Sequence, residues 1–173
     1  MTDYIGTSVE KLLRKWEERD PFRLAKKMDI EILRLPLGEH LKGYFFYYSR
    51  IAIIVLNNSM SEALQRIICA HELGHAVLHK ELARQNQFQE FSLFNSTIHT
   101  ELEANQFAAE LLIEDEALLS LLKEGFTVFE VASCLFVPPE LVVFKLQMMK
   151  KKGISVQIPI EAAGNFLKKS ALF

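Results

Sequence analysis

Residues 67–79 read IICAHELGHAVLH, a largely apolar stretch that carries three histidines and one glutamate. In a helix of about 3.6 residues per turn, His71 and His75 lie one turn apart on the same face, so both imidazoles can bind one metal ion. Glu72 lies roughly 100° further around the helix, where a carboxylate can act on an attacking water. The stretch therefore predicts a helix with a catalytic zinc site, which requires a third protein ligand and one open coordination position.

The composition is that of a folded protein of ordinary charge. The chain has 173 residues, of which 50% are hydrophobic and 24% charged, and its net charge is −2. These values exclude disorder and a strongly basic nucleic-acid binder. Cys69 and Cys134 have no C-x-x-C spacing, so no disulfide framework is expected. Without a signal-peptide pattern or an uncharged run of about 18 apolar residues, we expect a soluble cytoplasmic protein with no membrane partner.

Three segments before residue 67 have the composition of β-strands. Ile30–Leu35 alternates apolar and charged residues, as a half-buried strand does. Gly43–Tyr48 and Ile51–Leu56 are rich in aromatic and β-branched residues and flank Ser49-Arg50, which predicts an antiparallel hairpin. We expect a three-stranded antiparallel sheet. Its edge strand either binds a substrate peptide through backbone hydrogen bonds or only covers the helix.

The third metal ligand is sought in the helical pattern that begins near Thr100. Glu101 and Glu103 point nearly opposite ways on a helix, so only one of them can meet the metal. Asn105 lies on the face of Glu101, where its amide oxygen can accept the second ring N–H of His71. We therefore predict Glu101 as the third ligand and Asn105 as the residue that orients His71.

Two features surround this second helix. The short side chain of Ala104 would allow it to pass close to the zinc helix. Between the two helices, residues 80–99 are irregular in sequence and are predicted to form a long loop. Its phenylalanines either line a pocket or attach the loop to the fold, and attachment is the preferred interpretation: Phe88, Phe91 and Phe94.

The C-terminal part, residues 114–173, is predicted to be helical up to about Gly153 and irregular beyond it. Residues 127–136 and 141–149 predict two helices joined by a tight turn at Val137-Pro138, a shape similar to a helix-turn-helix. A DNA-reading helix would begin with polar and basic side chains, whereas this one begins with apolar residues. DNA binding is therefore disfavoured.

The motifs together resemble the ImmA/IrrE family of zinc metallopeptidases. The matching residues are His71-Glu72-Leu73-Gly74-His75, Leu78-His79 and Glu101-x-Glu103-Ala104-Asn105-x-Phe107-Ala108-Ala109-Glu110-Leu111-Leu112. The resemblance implies a gluzincin-like fold in which zinc is bound by His71, His75 and Glu101, with Glu72 as the catalytic base. It also implies an endopeptidase that cleaves a helix-turn-helix repressor of a prophage, a mobile element or a stress regulon. Where many relatives have Met-Pro after the Leu-Leu pair, this chain has Ile113-Glu114.

The expected fold class is α+β. A small three-stranded antiparallel sheet packs on a zincin-type helical core, residues 1–113, and a helical subdomain, residues 114–173, packs on that core as one compact unit. The residue that stabilises the oxyanion is left open among five candidates: His79, His99, Tyr44, Tyr47 and Tyr48. For His79, one turn beyond His75, a structural role with its polar atoms satisfied is preferred. Two alternative functions are a zinc-containing protein that sequesters a repressor or toxin without cleavage, and a DNA-binding regulator.

Overall fold

The protein has a mixed α and β fold, which confirms the predicted class. A computed structural model describes residues 4–85 and 98–154, with the backbone alone described at residues 83–85 and 98. The elements are α1 (Tyr4–Trp16), α2 (Pro21–Lys27), β1 (Ile30–Leu35), β2 (Gly43–Tyr48), β3 (Ile51–Asn57), α3 (Glu62–Leu78), α4 (Lys80–Gln85), α5 (Ile98–Leu112), α6 (Asp115–Lys123), α7 (Val128–Leu135) and α8 (Pro139–Lys151).

The three strands form one sheet in the order β1-β3-β2, so β3 is central. The predicted hairpin is present: β2 and β3 are antiparallel, with Tyr48 opposite Ile51. Both turn residues, Ser49 and Arg50, have positive φ angles of 46° and 72°. Positive φ at both positions is the geometry that matches a two-residue turn to the twist of the flanking strands.

The prediction that the whole sheet is antiparallel was wrong for β1, which pairs with β3 in parallel. The connection after β1 passes the end of β3, and the chain returns as β2 at the opposite edge of the sheet. Strand β2 therefore runs in the direction opposite to β1. Because β3 is antiparallel to β2, it runs parallel to β1. The buried side chain of Asn57 holds this crossing, since its amide donates to the carbonyl oxygens of Gly38 and Leu41 at 2.6 and 2.9 Å.

Helix α3 lies at the centre of the fold between the sheet and α5. Its N-terminus is capped by the Ser61 hydroxyl, which accepts the backbone N–H of Leu64. On the sheet side, a Cβ atom at Gly43 would lie 2.6 Å from the Ile68 side chain. On the other side, a Cβ at Gly74 would lie 3.0 Å from the Cα atom of Ala104. Glycines thus allow both neighbours to approach α3 closely, as expected for Ala104.

The segment between α3 and α5 is only partly the predicted loop. Helix α4 occupies residues 80–85, all of which are good helix formers in sequence, so the loop prediction was wrong at its beginning. It was also wrong at its last two residues, because α5 begins at Ile98. The three phenylalanines at positions 88, 91 and 94 lie outside the described residues. The same holds for the C-terminal tail after residue 154.

The C-terminal helices form the predicted helix-turn-helix shape. Thr127 begins α7 with a capping box, in which its hydroxyl accepts the Glu130 N–H and the Glu130 carboxylate accepts the Thr127 N–H. Phe136, in the left-handed conformation, ends α7 and leads into α8. Helix α8 packs on α5 and α7, and a single apolar core runs from Ile5 to Met149. Within the described ranges, no helix has the length and hydrophobicity needed to cross a membrane.

Candidate active site

The two histidines of α3 and one glutamate of α5 converge on one point. The Nε2 atoms of His71 and His75 lie 3.1 Å apart. The carboxylate oxygens of Glu101 lie 3.3 Å from Nε2 of His71 and 3.4 Å from Nε2 of His75. Within the part of the chain that the structure describes, this is the one group of three such side chains close enough to share a metal ion. The structure therefore brings together the three side chains selected from the sequence.

Asn105 lies behind this cluster, on the side of His71 that faces away from Glu101. Its Oδ1 atom is 2.9 Å from Nδ1 of His71, and both side chains are buried. Because an amide oxygen only accepts, Nδ1 of His71 carries the proton and donates it. The contact predicted from the spacing of Glu101 and Asn105 is thus present, and it leaves Nε2 of His71 directed at the cluster.

The donor set fits a divalent cation. Two imidazole nitrogens and a carboxylate, placed at these short separations, direct lone pairs and negative charge at a common point. Such an arrangement is repulsive unless a cation or shared protons lie between the groups. Two histidines and one glutamate are also a frequent ligand set of catalytic zinc, which leaves one coordination position open. These residues are therefore suited to hold zinc.

Glu72 follows the first histidine and is buried beside the cluster, with 7% of its surface exposed. Burial raises the pKa of its carboxyl group to about 7, and the negative charge of Glu101 acts in the same direction. The positive charge of His75 and the backbone N–H of Phe45 on β2 oppose this shift. A carboxyl group with a pKa near neutrality can both accept and return a proton, as a general base requires.

Glu101 has the opposite behaviour. Burial by itself would raise the pKa of its carboxyl group, but hydrogen bonds from His71 and His75 outweigh this effect and lower the pKa well below its ordinary value. Glu101 is therefore ionised across the physiological range. The two glutamates of the cluster thus differ in protonation: Glu101 supplies a fixed negative charge, and Glu72 is able to exchange a proton.

Sequence reasoning missed the role of Glu103, whereas His79 has the structural role that was preferred for it over stabilisation of the oxyanion. The Nδ1 atom of His79 lies 3.1 Å from Nδ1 of His75, and Nε2 of His79 lies 2.9 Å from Oε2 of Glu103. Glu103 also contacts Nδ1 of His99 at 3.4 Å and accepts a hydrogen bond from Tyr4 of α1. The available signal was the repeated spacing of four residues from His71 through His75 to His79.

The oxyanion candidates are distributed unevenly around the site. Both ring nitrogens of His79 have partners, so this residue has none left for a substrate oxygen. His99 is exposed and faces Glu103. Tyr48 is exposed at the end of the hairpin, whereas Tyr44 and Tyr47 are half-buried on β2. His79 is thus removed from the list, and the choice among the others stays open.

Comparison with known proteins identifies the family. The Peptidase M78 family model, described as the IrrE N-terminal-like domain, matches residues 25–147, which is more than two thirds of the chain. The chain belongs to this peptidase family. The match contains His71, Glu72, His75 and Glu101, and it confirms the resemblance drawn from the motifs.

A phage protein is similar to this chain over most of its length. The chain is 34% identical over 137 residues to a protein of Bacillus phage phi105 named "Uncharacterized immunity region protein 2". The similarity covers 79% of this chain and 85% of the phage protein. The two chains are thus similar over most of their lengths.

Proposed function

We propose that the protein is a zinc-dependent endopeptidase that cleaves a regulatory protein, namely a helix-turn-helix repressor. The observation that carries the proposal is the convergence of His71, His75 and Glu101, with the carboxyl group of Glu72 buried beside them. Membership of a peptidase family supports the reaction class. The sequence pattern and the geometry thus favour the same four residues.

In this proposal, His71, His75 and Glu101 hold the metal, and Asn105 orients His71 through its hydrogen bond to Nδ1. Zinc, when bound, supplies Lewis acidity and lowers the pKa of water to about 7. Glu72 accepts the proton of the attacking water on its carboxylate and passes it to the nitrogen of the leaving amine. In the metal-free protein, burial raises the pKa of this carboxyl group to about 7.

Strand β2 is the proposed binding surface for the substrate backbone. It is an edge strand, since its only neighbour in the described sheet is β3. The turn pairs Tyr48 with Ile51, so alternate residues on β2 direct their backbone groups away from β3, among them Gly43 and Phe45. Phe45 is also the residue whose N–H interacts with Glu72. An extended peptide added at this edge would therefore lie beside the catalytic base.

The choice of a repressor as substrate rests on two observations. The relative from Bacillus phage phi105 is named as an immunity region protein, and we propose that this chain likewise acts on a regulator of phage immunity. In addition, Leu141, Val142 and Val143 near the start of α8 are buried, which disfavours α8 as a DNA-reading helix. We therefore propose that the protein acts on a DNA-binding regulator rather than on DNA itself. We also place the protein in the cytoplasm.

The experiment is incubation of the purified, zinc-loaded protein with the helix-turn-helix protein encoded beside its gene. We expect discrete cleavage of the repressor, detected by mass spectrometry of the fragments, and no cleavage after a chelator has removed the metal. A stable complex without fragments would instead support a binding protein that sequesters the repressor. Tight, salt-dependent binding to the operator DNA by the protein itself would support a DNA-binding regulator.

A further inference from the structure

His79 lies between a proposed metal ligand and a second carboxylate. Its Nδ1 atom is 3.1 Å from Nδ1 of His75, and its Nε2 atom is 2.9 Å from Oε2 of Glu103. The side chain is buried, with the residue 8% exposed. The three side chains therefore form a continuous chain of hydrogen bonds that begins at the metal-binding ring of His75.

The protons of this chain can be arranged in one way when His75 binds a metal. A metal at Nε2 of His75 uses the lone pair of that nitrogen, so the ring proton must lie on Nδ1. It is then donated to Nδ1 of His79, which must be unprotonated. The ring proton of a neutral His79 consequently lies on Nε2 and is donated to the carboxylate of Glu103. Each ring nitrogen in the chain has a role, and no polar atom is left unsatisfied.

The end of the chain is itself held in place. Glu103 accepts a hydrogen bond from the Tyr4 side chain on α1 and contacts His99 one turn earlier on α5. The carboxylate is mostly buried, with 12% of its side chain exposed. Side chains from three parts of the fold thus contact Glu103: Tyr4 on α1, His79 at the end of α3 and His99 on α5. These contacts together hold its carboxylate in place.

From this geometry we infer that His79 and Glu103 are positioning residues for His75, as Asn105 is for His71. The inference rests on the proposed metal site. Hydrogen bonds to the second nitrogen of a ligating histidine fix its orientation and increase its basicity, and their removal typically costs about 10- to 100-fold in metal affinity. In this protein the partner of His75 is a histidine backed by a carboxylate, whereas that of His71 is a single amide.

The test is a titration of the metal-free protein with Zn²⁺ against a chromophoric chelator, which measures affinity independently of any substrate. His79→Phe keeps an aromatic ring but removes both hydrogen bonds, and we expect it to weaken zinc binding by about 10- to 100-fold. His79→Gln offers one acceptor and one donor, so it should recover most of the affinity. His40→Phe, at an exposed position outside the site, is the matched control and should bind zinc as the wild type does.

A double-mutant cycle separates positioning from general packing. If Glu103 acts on His75 through the hydrogen bonds of His79, Glu103→Ala should weaken zinc binding in the wild-type background. The same substitution should add little to the loss caused by His79→Phe. If the two substitutions reduced zinc affinity additively, Glu103 would not act through His79. Should His79→Phe fail to fold, the cycle is measured with His79→Gln, in which Glu103→Ala must still lower affinity if the chain exists.

The outcomes distinguish this inference from the proposed function. If the wild type binds no zinc, the proposed metal site is wrong. If the wild type binds zinc and His79→Phe binds it within about threefold of the same affinity, the site stands and the positioning role is overturned. The absorption spectrum of the Co²⁺ form adds a second readout, because it should change in His79→Phe, where the ring of His75 loses its orientation, and not in His40→Phe.

Discussion

At the scale of single residues, the site holds two carboxyl groups whose pKa values are shifted in opposite directions. Glu101 is stabilised as an anion by two histidines, whereas Glu72 is buried where its anion is poorly solvated. A glutamate with a raised pKa in a buried site has a cost to folding at high pH, because the folded protein must then hold an ionised carboxylate away from water. This cost can be measured in the metal-free protein.

Removal of the Glu72 charge should stabilise the metal-free protein at high pH. The pKa of Glu72 in the folded state is about 7, above its ordinary value of 4.5, so its contribution to stability is present below pH 4.5 and lost as the pH rises through 7. We expect the wild type to lose up to about 3 kcal/mol relative to Glu72→Gln between pH 4.5 and 8. Urea denaturation of both proteins at several pH values measures this difference. A difference independent of pH would show that Glu72 has an ordinary pKa.

The assignment of the third ligand is tested by a pair of variants. Glu101→Ala should lose stoichiometric zinc, because the ligand carboxylate is removed from the two histidines. Glu103→Ala should keep one zinc per chain at a lower affinity, because it removes only the support of His79. Native mass spectrometry of the purified proteins gives the zinc content. Full zinc content in Glu101→Ala together with its loss in Glu103→Ala would reverse the assignment.

The sequence predicted these residue positions to different degrees. The spacing of His71 and His75, and that of Glu101 and Asn105, follows from the helical period, so faces could be assigned before the fold was known. Glu103 was not chosen as a ligand and was given no other role. Its contact with His79 depends on how α3 and α5 cross, and a period within one helix carries no information about that crossing.

At the scale of elements, the site depends on the close approach of α3 and α5. Gly74 lies one residue before His75 and faces Ala104, whose Cα atom would be 3.0 Å from an added Cβ. Glu101 and Asn105, which lie on either side of Ala104 along α5, both contact histidines of the proposed zinc site. The small residues at the crossing therefore determine the distance between the ligands.

Substitution of Gly74 should separate the two helices. Gly74→Val places a branched side chain against the backbone of Ala104, and we expect a loss of about 2 to 3 kcal/mol in unfolding free energy together with weaker zinc binding. Ala63→Val, at an exposed position of the same helix, is the matched control and should cost only about 0.5 kcal/mol. Urea denaturation and zinc titration of both variants check this. Unchanged zinc affinity in a folded Gly74→Val protein would show that the crossing does not set the ligand geometry.

The sheet contains one pairing of strands that could be predicted from the sequence and one that could not. The hairpin between β2 and β3 was predictable because a two-residue turn joins two strand-like segments. The parallel pairing of β1 was not, since it depends on a connection that crosses the sheet and is held by the buried Asn57. Local sequence identifies the strands, whereas the order of the strands is a property of the tertiary structure.

At the scale of the whole molecule, a buried ion cluster ties the C-terminal helices to the core. Lys145 of α8 is 1% exposed and lies 2.8 Å from the Glu110 carboxylate of α5. It also pairs with Asp115 of α6, and Lys152 approaches the other oxygen of Glu110 at 2.6 Å. We therefore propose that residues 114–173 fold together with residues 1–113 as one cooperative unit.

Removal of the central charge of this cluster should destabilise the entire protein. Lys145→Met retains the length of the side chain but leaves two carboxylates with less compensation, and we expect a cost of about 3 kcal/mol. Lys123→Met, at an exposed position, is the control and should have little effect. Calorimetry should show one transition in both variants, shifted to lower temperature only in Lys145→Met. Two separate transitions in the wild type would contradict a single cooperative unit.

The most direct measurement compares zinc-loaded wild type with zinc-loaded Glu72→Gln at equal zinc content, using the helix-turn-helix repressor as substrate. The substitution removes the general base and keeps His71, His75 and Glu101 in place. We predict that both proteins bind one zinc ion and that mass spectrometry detects repressor fragments only with the wild type. Fragments formed at an equal rate by Glu72→Gln would contradict the proposed role of the buried glutamate beside the metal site.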